Sequence, residues 1–517
     1  MTKTTVYIGS VDQGTTSSRF LVFDHTGAVV ASHQAELKQH YPQAGWHEHD
    51  PHDILQTVKK CMNEVAARLD SLGIQLADLK AIGITNQRET TICWDAETGE
   101  PLYNAIVWCD ARTKAVVDHL THEHPSQSRD CIKDICGLPL TTYFSGVKLK
   151  WMLDNVPAVQ QAARQGRLRV GTVDSWLIYH LTGGHSGQGR FVTDVTNASR
   201  TMLMDVRTLA WSEELCRFFG VSISALPEIR SSSEVYGHVA SGPFAGIPLS
   251  GCLGDQQAAM VGQKCFTQGE AKNTYGTGCF MLFNTGTSPV ISKHGLLTTV
   301  GYQLGPNATP VYALEGSIAV AGAALQWLRD NLGIIASASE IDRIAGAVPD
   351  NGGVYFVPAF SGLFAPYWRD DARGCIVGLT HYANKHHIAR ATLEATCFQT
   401  HAILDAMNQD SGVKLLKLKV DGGMTNSDLC MQLQADLAGI PVERPAMRET
   451  TALGAAMAAG LAIGIWKDLD ELSNVGTSGL QTFQASLKKE ERERRFAQWN
   501  RAVQRSLDWI EEEAKDL

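Results

Sequence analysis

The sequence predicts an α/β protein built from two related domains that face one ligand. Three observations carry that reading: the order of the opening elements, a pair of similar loops at strand ends, and the lack of any standard nucleotide loop. The chain opens strand, strand, strand, helix, strand, which is not the βαβ order of a dinucleotide-binding fold. Asp-Gln-Gly-Thr-Thr (Asp12 to Thr16) follows the first strand, and Asp-Gly-Gly-Met-Thr (Asp421 to Thr425) follows a strand in the far half. No Gly-Lys dipeptide, GxGxxG or GxSxG string occurs, which excludes a Walker loop, a dinucleotide fingerprint and a serine-hydrolase elbow. A nucleotide, if bound, must be held by hairpins.

Each element has its own signal. "TVYIGSV" and "RFLVFD" read as strands, "HTG" (His25 to Gly27) as a turn, and "AVVAS" as the start of a third strand. Asp50 is placed to cap a helix that has Pro51 at its first position and Asp53 in its first turn. Ile54, Val58, Cys61, Val65 and Leu69 follow at helical spacing. "LKAIGIT" and "TTICWD" are strands, the latter closed by the turn "DAETGE". Further on, Ala271 to Gly286 reads as two strands joined through Gly276 and Gly278. "RATLEATCFQTHAILDAM" reads as a helix with Ile388, Ala391, Ala395, Phe398 and Ala402 on one face. "LKLKV" (Leu416 to Val420) alternates like a half-buried strand and runs into "DGGMTNS". The divide is expected between residues 255 and 270, giving domains 1–258 and 259–517.

Composition excludes several classes. With 517 residues, 44% hydrophobic and 19% charged, the chain is long enough for several packed cores. A formal charge of −9 argues against a nucleic-acid or anionic-membrane partner, and "KKEERERR" (Lys488 to Arg495) mixes signs like an exposed helix face. "MTKTTVYIGSVD" has no apolar run of signal-peptide length, and Thr451 to Trp466 is too short to span a bilayer, so it reads as a closely packed buried helix. The 12 cysteines show neither CxxC nor zinc spacing, as expected of reduced thiols in a cytoplasmic enzyme.

Four motifs carry chemistry, each with a blander reading beside it. "DQGTTSSR" (Asp12 to Arg19) crowds donors into a turn, which suits a phosphate with Asp12 on a magnesium ion, or an ordinary polar hairpin. "GDQQAA" places Asp255 to deprotonate a hydroxyl or to cap a helix. In "NQRETT" a cation and a carboxylate, Arg88 and Glu89, sit side by side; that suits a polyol, but spacing alone favours a surface ion pair. "HEHDPH" (His47 to His52) reads as a solvated cap segment rather than a metal site, because Pro51 and a helix start break the spacing.

Taken together, these stretches resemble the FGGY carbohydrate kinases from about residue 6 to about residue 510. Both broad signatures are present, "YFSGVKLKWML" (Tyr143 to Leu153) and "GCIVGLTHYANKHHIARATLE" (Gly374 to Glu394). "DQGTTSSR", "ITNQRETT", "NAIVWCDART", "GTVDSWLIY", "TDVTNASRTML", "AKNTYGTGCFML" and "TALGAAMAAGL" resemble the members that phosphorylate glycerol. The resemblance implies two ribonuclease-H-like domains, as in actin and the sugar kinases, with ATP in the cleft between them. It implies the reaction ATP + glycerol → ADP + sn-glycerol 3-phosphate, with Mg²⁺ as cofactor and a dimer or tetramer as assembly.

By position, the resemblance puts Thr15, Thr16 and Ser17 on the transferring phosphate, Arg19 on nucleotide phosphate, and Asp12 on Mg²⁺ through water. Arg88, Glu89, Trp108 and Tyr143 would shape the glycerol pocket, with Asp255 as general base and Gln256 beside it. Thr277 would contact the phosphates, while Gly322, Gln326, Gly423 and Ser427 would line the adenosine site. Ser427 departs from the usual Asn, so an adenine-side contact is expected to be shorter or moved by one residue. "HVASGPFA" lacks the Gly-rich, Arg-bearing loop for fructose 1,6-bisphosphate, and the His-bearing phosphotransfer loop is also missing. "GGHSGQGRF" (Gly183 to Phe191) reads as a lengthened hairpin turn. Two rivals stay open: a family member acting on another polyol or ketose, and an actin-like ATPase with no metabolite substrate.

Overall fold

The computed structural model describes residues 6–510. Two sheets organise it. In the first, the strands run in the order Ser233–His238, Pro248–Gly254, Leu79–Asn86, Tyr7–Gln13, Ser17–Asp24, Val29–Glu36. In the second the order is Leu297–Tyr302, Val311–Ile318, Cys279–Gly286, Glu270–Tyr275, Lys417–Asp421, Val442–Arg444, Gln481–Phe483. Each sheet starts with an antiparallel three-strand meander, adds two parallel strands and ends on an antiparallel edge. The second carries one extra strand, Leu297–Tyr302, outside its meander. This is the duplicated α/β architecture that the opening elements predict.

The duplication pairs different loops from those the sequence pairs. Asp12 to Thr16 sits in the first hairpin of its sheet, so its structural counterpart is Gly276-Thr277-Gly278, between Glu270–Tyr275 and Cys279–Gly286. Asp421-Gly422-Gly423 ends the first parallel strand of the second sheet and corresponds to Asn86-Gln87-Arg88. Similar wording misled the match, because both kinds of loop end a buried strand and both need glycine and polar groups there.

Local rules account for the flanking helices. Asp50 accepts from the His52 N–H at 2.8 Å and opens the helix Pro51–Ser71, whose Ile54, Val58, Cys61, Val65 and Leu69 are all buried. The helix Lys385–Ser411 is capped by Asn384 and His387 and is longer than its sequence pattern suggests. "GGHSGQGRF" joins the helix Val173–Leu181 to the strand Val192–Asp194, so it is not a hairpin turn.

The helix Thr450–Ala462 lies between the two sheets and packs on the first sheet and on the helix Asp255–Gly262. Close approach explains its Ala/Gly composition. A Cβ on Gly83 would lie 2.1 Å from the Ala455 carbonyl oxygen, and one on Gly454 would lie 1.8 Å from that of Ala258. Asp421 adds a polar stitch, accepting from Thr450 Oγ1 at 2.5 Å and Gln263 Nε2 at 3.0 Å. Gly83→Val should therefore lower the thermal midpoint, with a loss of about 1–3 kcal/mol from overpacking. An unchanged midpoint would mean that this helix does not rest on the sheet in solution. No helix among the described residues is long and apolar enough to cross a membrane.

Candidate functional site

The first hairpin turns at Gly14, Thr15 and Thr16, closed by a Gly14 N–H to Ser17 carbonyl bond of 2.9 Å. Arg19 lies opposite Asp12 in register and bridges two carboxylates: Asp12, and Glu449 at 2.5 Å just before the helix between the sheets. Any phosphate approaching Arg19 must therefore compete with both. Burial raises the Asp12 carboxyl above its ordinary range, and Arg19 works against that shift. Mg²⁺ takes one or two carboxylates and completes its shell with water and phosphate oxygens. Asp12 and Glu449 beside a donor-rich turn fit that donor set.

The loop after Leu79–Asn86 carries Arg88 and Glu89, and neither is a surface group. Arg88 is 3% exposed and Glu89 is 1% exposed, which overturns the surface ion pair that spacing favours. Glu89 also has φ +59°, a left-handed conformation uncommon for a glutamate. Ser145 Oγ and Thr91 Oγ1 hold its carbonyl at 3.0 and 2.9 Å, and Arg200 Nε holds its carboxylate at 2.6 Å. Arg88 donates to both oxygens of Glu315, at 2.5 and 3.0 Å, and its Nε lies 3.2 Å from Asp255 Oδ1. Arg200 reaches Glu315 as well, at 3.1 Å. Because Glu315 sits on the second sheet, this charge cluster joins both halves of the molecule.

Asp255 is the first residue of the helix Asp255–Gly262, and Gly254 occupies the capping position. The expectation of Asp255 as N-cap is thus corrected by one residue, although its carboxylate does accept the Gln256 N–H at 2.7 Å. Its side chain is 31% exposed, the open edge of an otherwise closed group. Burial raises its pKa, while Arg88 and Lys272 pull it down. Lys272, fully buried, donates to Gln256 Oε1 and Thr274 Oγ1, and burial lowers it to about 8. Glu315 behaves oppositely: burial would raise it, but Arg200 and Arg88 outweigh that and hold it at about 2.

Trp108, Tyr143 and Phe280 form an aromatic wall beside these charges. Tyr143 and Phe280 both meet the indole edge-on, with centroids at 5.4 and 6.2 Å. The Trp108 indole N–H donates to Thr15 Oγ1 at 2.9 Å, which ties the wall to the first hairpin. Lys148 fixes the Tyr143 segment by donating to the carbonyls of Thr142 and Tyr143 at 2.8 and 2.5 Å.

On the second sheet a cavity of about 420 Å³ is lined by Thr277, Gly322, Gln326, Gly423 and Ser427 together, with Tyr275, Arg329 and Asn426 among their neighbours. The Thr277 carbonyl accepts from Ala321 and Ala323 N–H at 2.9 and 3.1 Å, so the hairpin tip is fastened to the start of the helix Gly322–Asp330. Only glycine fits at 322, where a Cβ would meet the Gly276 carbonyl at 2.6 Å. Ser427 spends its hydroxyl on the Cys430 N–H, at 2.9 Å, and on Asp342, capping the helix Asp428–Ala438. Asn426, one position earlier, faces the cavity.

Sequence reasoning missed Glu315, Arg200, Lys272, Phe280 and Glu449. Lys272, Phe280 and Glu315 lie within strands, Arg200 and Glu449 just outside helices, and only the folded chain brings them together here. One trio among the described residues has metal-ligand chemistry: Asp174, Asp194 and Cys252. Asp174 already accepts from Thr172 and Thr193, and Asp194 from Thr196, Asn197 and Ser232, so the trio reads as buried scaffold. Burial, then the neighbouring Asp174, raises Asp194 to about 6. The stretch His47 to His52, expected as a solvated cap segment, is instead largely enclosed, with Glu48 2% and His49 0% exposed, because it packs behind the first hairpin.

Comparison with known proteins matches residues 7–262 to the N-terminal domain, and residues 271–463 to the C-terminal domain, of the FGGY family of carbohydrate kinases. A glycerol kinase of Pseudarthrobacter chlorophenolicus is 56% identical over 510 residues, spanning 98% of this chain and 99% of that protein. A probable glycerol kinase of Dictyostelium discoideum is 51% identical over 543 residues, spanning 98% and 99%. Among solved structures, Plasmodium falciparum glycerol kinase with ADP superposes with a TM-score of 0.90 at 40% identity, covering 98% of this chain and 99% of that one. A gluconate kinase of Lactobacillus acidophilus shares the fold, with a TM-score of 0.84 at 22% identity over 97% and 98% of the two chains.

Proposed function

This chain belongs to the FGGY family of carbohydrate kinases, and from that premise we propose that it transfers the γ-phosphoryl group of ATP to a terminal hydroxyl of glycerol, releasing ADP and sn-glycerol 3-phosphate. The observation that carries this is Trp108. Its indole bonds to Thr15 on the hairpin while Tyr143 and Phe280 meet it edge-on, so a three-carbon polyol against that wall lies beside the phosphate loop. The relatives named above at over 50% identity support the same substrate.

Each group then has a task. Arg88 and Glu89, held rigid by burial, bind the hydroxyls from one side each, and Gln256 adds an amide. Asp255, with its open carboxylate edge, accepts the proton of the attacking hydroxyl. Thr15, Thr16 and Ser17 hold the transferring phosphate, Thr277 contacts the phosphates from the second hairpin, and Gly322, Gln326, Gly423 and Ser427 line the adenosine side. Arg19, moving from its carboxylates, is the cation available to nucleotide phosphate. Bound Mg²⁺ would offset charge on the phosphate oxygens, with Asp12 as its ligand through water. Phosphoryl transfer asks mainly for positioning and charge, and these residues supply both.

Residues 1–258 and 259–517 act on this reading as two domains whose closure excludes water and limits ATP hydrolysis. The 12 unpaired cysteines suit a reducing cytoplasm, and a homo-oligomer, dimer or tetramer, is the expected assembly. A coupled ADP-release assay with glycerol, xylulose, ribitol or no acceptor tests the substrate. Turnover only with glycerol is expected. Turnover with a pentose alone would reject the pocket reading, and turnover without acceptor would point to an ATPase.

A further inference from the structure

The stretch His47 to His49 has no part in the mechanism above, yet both its imidazoles meet Gln39, the side chain that bonds to the back of the phosphate hairpin. Gln39 Nε2 donates to the Thr15 carbonyl at 3.0 Å and to the Leu37 carbonyl at 2.7 Å. That fixes which end of the amide is which, so Gln39 Oε1 is the acceptor. Two imidazoles serve it, His47 Nε2 at 2.7 Å and His49 Nε2 at 3.0 Å. Both rings must therefore carry their proton on Nε2. His49 Nδ1 is then free to accept from Gln87 Nε2 at 3.4 Å, and the same amide reaches the Gly14 carbonyl at 3.2 Å. Gln13 Nε2 donates to that carbonyl too, at 2.8 Å.

The supports behind this group are themselves fixed. Glu48–His49 pairs with Ala105–Ile106, and Glu48 accepts from Tyr103, Asn104 and Arg112 at 2.7–2.8 Å. The His47 N–H donates to Asp110 at 2.5 Å. Burial lowers both imidazoles, His49 to about 3, so both stay neutral donors.

A planar trans peptide points its N–H opposite its carbonyl. With the Gly14 and Thr15 carbonyls drawn inward, the N–H groups of Thr15 and Thr16 point outward, and among the described residues neither finds a protein acceptor. Successive outward N–H groups make an anion-binding concavity. We propose that His47 and His49, acting through Gln39, and Gln87 are positioning residues that clamp the Gly14 and Thr15 carbonyls, so that the Thr15 and Thr16 N–H groups are aimed at the phosphoryl group being transferred. The proposal rests on the hairpin holding that phosphate. It gives the histidine segment a task one layer behind the chemistry.

The test uses the full chain with glycerol present and compares binding of the ATP analogue AMP-PNP with binding of ADP by calorimetry. Three variants are used: Gln39→Leu, His49→Phe and Gln39→Met, the last keeping the length of the side chain and its neutrality while removing the donor to Thr15. Loss of one aligned neutral hydrogen bond predicts AMP-PNP affinity and kcat each down about tenfold, with ADP affinity and the glycerol KM within about threefold. Circular dichroism checks that each variant is folded, and Gln39→Met, the mildest change, decides the matter if the others unfold. Equal weakening of ADP and AMP-PNP, or no weakening of either, would overturn the clamp. A wild-type protein that turns over glycerol but binds AMP-PNP and ADP equally would remove the phosphate placement beneath it, leaving the kinase assignment standing.

Discussion

Asp255→Asn is expected to lower kcat by about 10²- to 10⁴-fold, the usual span for losing a general base, with the glycerol KM changing far less. Asn keeps the size of the side chain and can still accept the Gln256 N–H, so the helix start survives. What it cannot do is take up a proton. The wild-type pH profile offers a second check on the same atom. Burial raises the Asp255 pKa, with Arg88 and Lys272 opposing. In the proposed role Asp255 works only when ionised, so kcat/KM should climb with pH through a limb above the ordinary aspartate range. Steady-state kinetics across pH would show it. A variant with near wild-type kcat would remove Asp255 from the reaction.

Glu315→Gln should be nearly as damaging, although Glu315 lies outside every motif. Its carboxylate is fully buried and shared by Arg88 and Arg200, whose other carboxylate partners are Glu89 and Asp255. Removing one partner of a buried pair typically costs about 3–5 kcal/mol. Catalysis should shift as well. With Glu315 neutral, Arg88 falls to its remaining carboxylates, Glu89 and Asp255, and stabilises ionised Asp255 more strongly. The acid limb of kcat/KM should therefore move to lower pH, and the glycerol KM should rise as Arg88 leaves its place. Stability carries its own sign. Glu315 is depressed from 4.5 to about 2, so its contribution is complete above 4.5 and is lost as pH falls through about 2. Acid unfolding of the variant should be less steep in that window. A variant with wild-type melting and an unmoved acid limb would contradict the cluster.

Much of the architecture was legible because local rules and global topology agree. The strand-strand-strand-helix-strand opening, the Asp50 cap and the Ala/Gly helix all follow from spacing and side-chain size, and the structure bears them out. Pairing of the repeated loops was not legible. Asp12 to Thr16 and Asp421 to Thr425 look alike as text, but strand order assigns them to different places in the repeat. Arg88 and Glu89 show the same limit at the site. Adjacent opposite charges usually lie on a surface, and only Glu315 and Arg200, brought from distant segments, make their burial affordable. Glu449 reaches Arg19 across most of the chain and leaves no local trace.

The most direct test of the account is the fate of the γ-phosphoryl group. Phosphorus NMR on a mixture of the protein, Mg-ATP and glycerol should show ADP and a single phosphomonoester growing together. An sn-glycerol-3-phosphate dehydrogenase should then oxidise that ester completely, which places the phosphate on one terminal carbon. Inorganic phosphate growing in place of the ester, or an ester that the dehydrogenase leaves untouched, would contradict it.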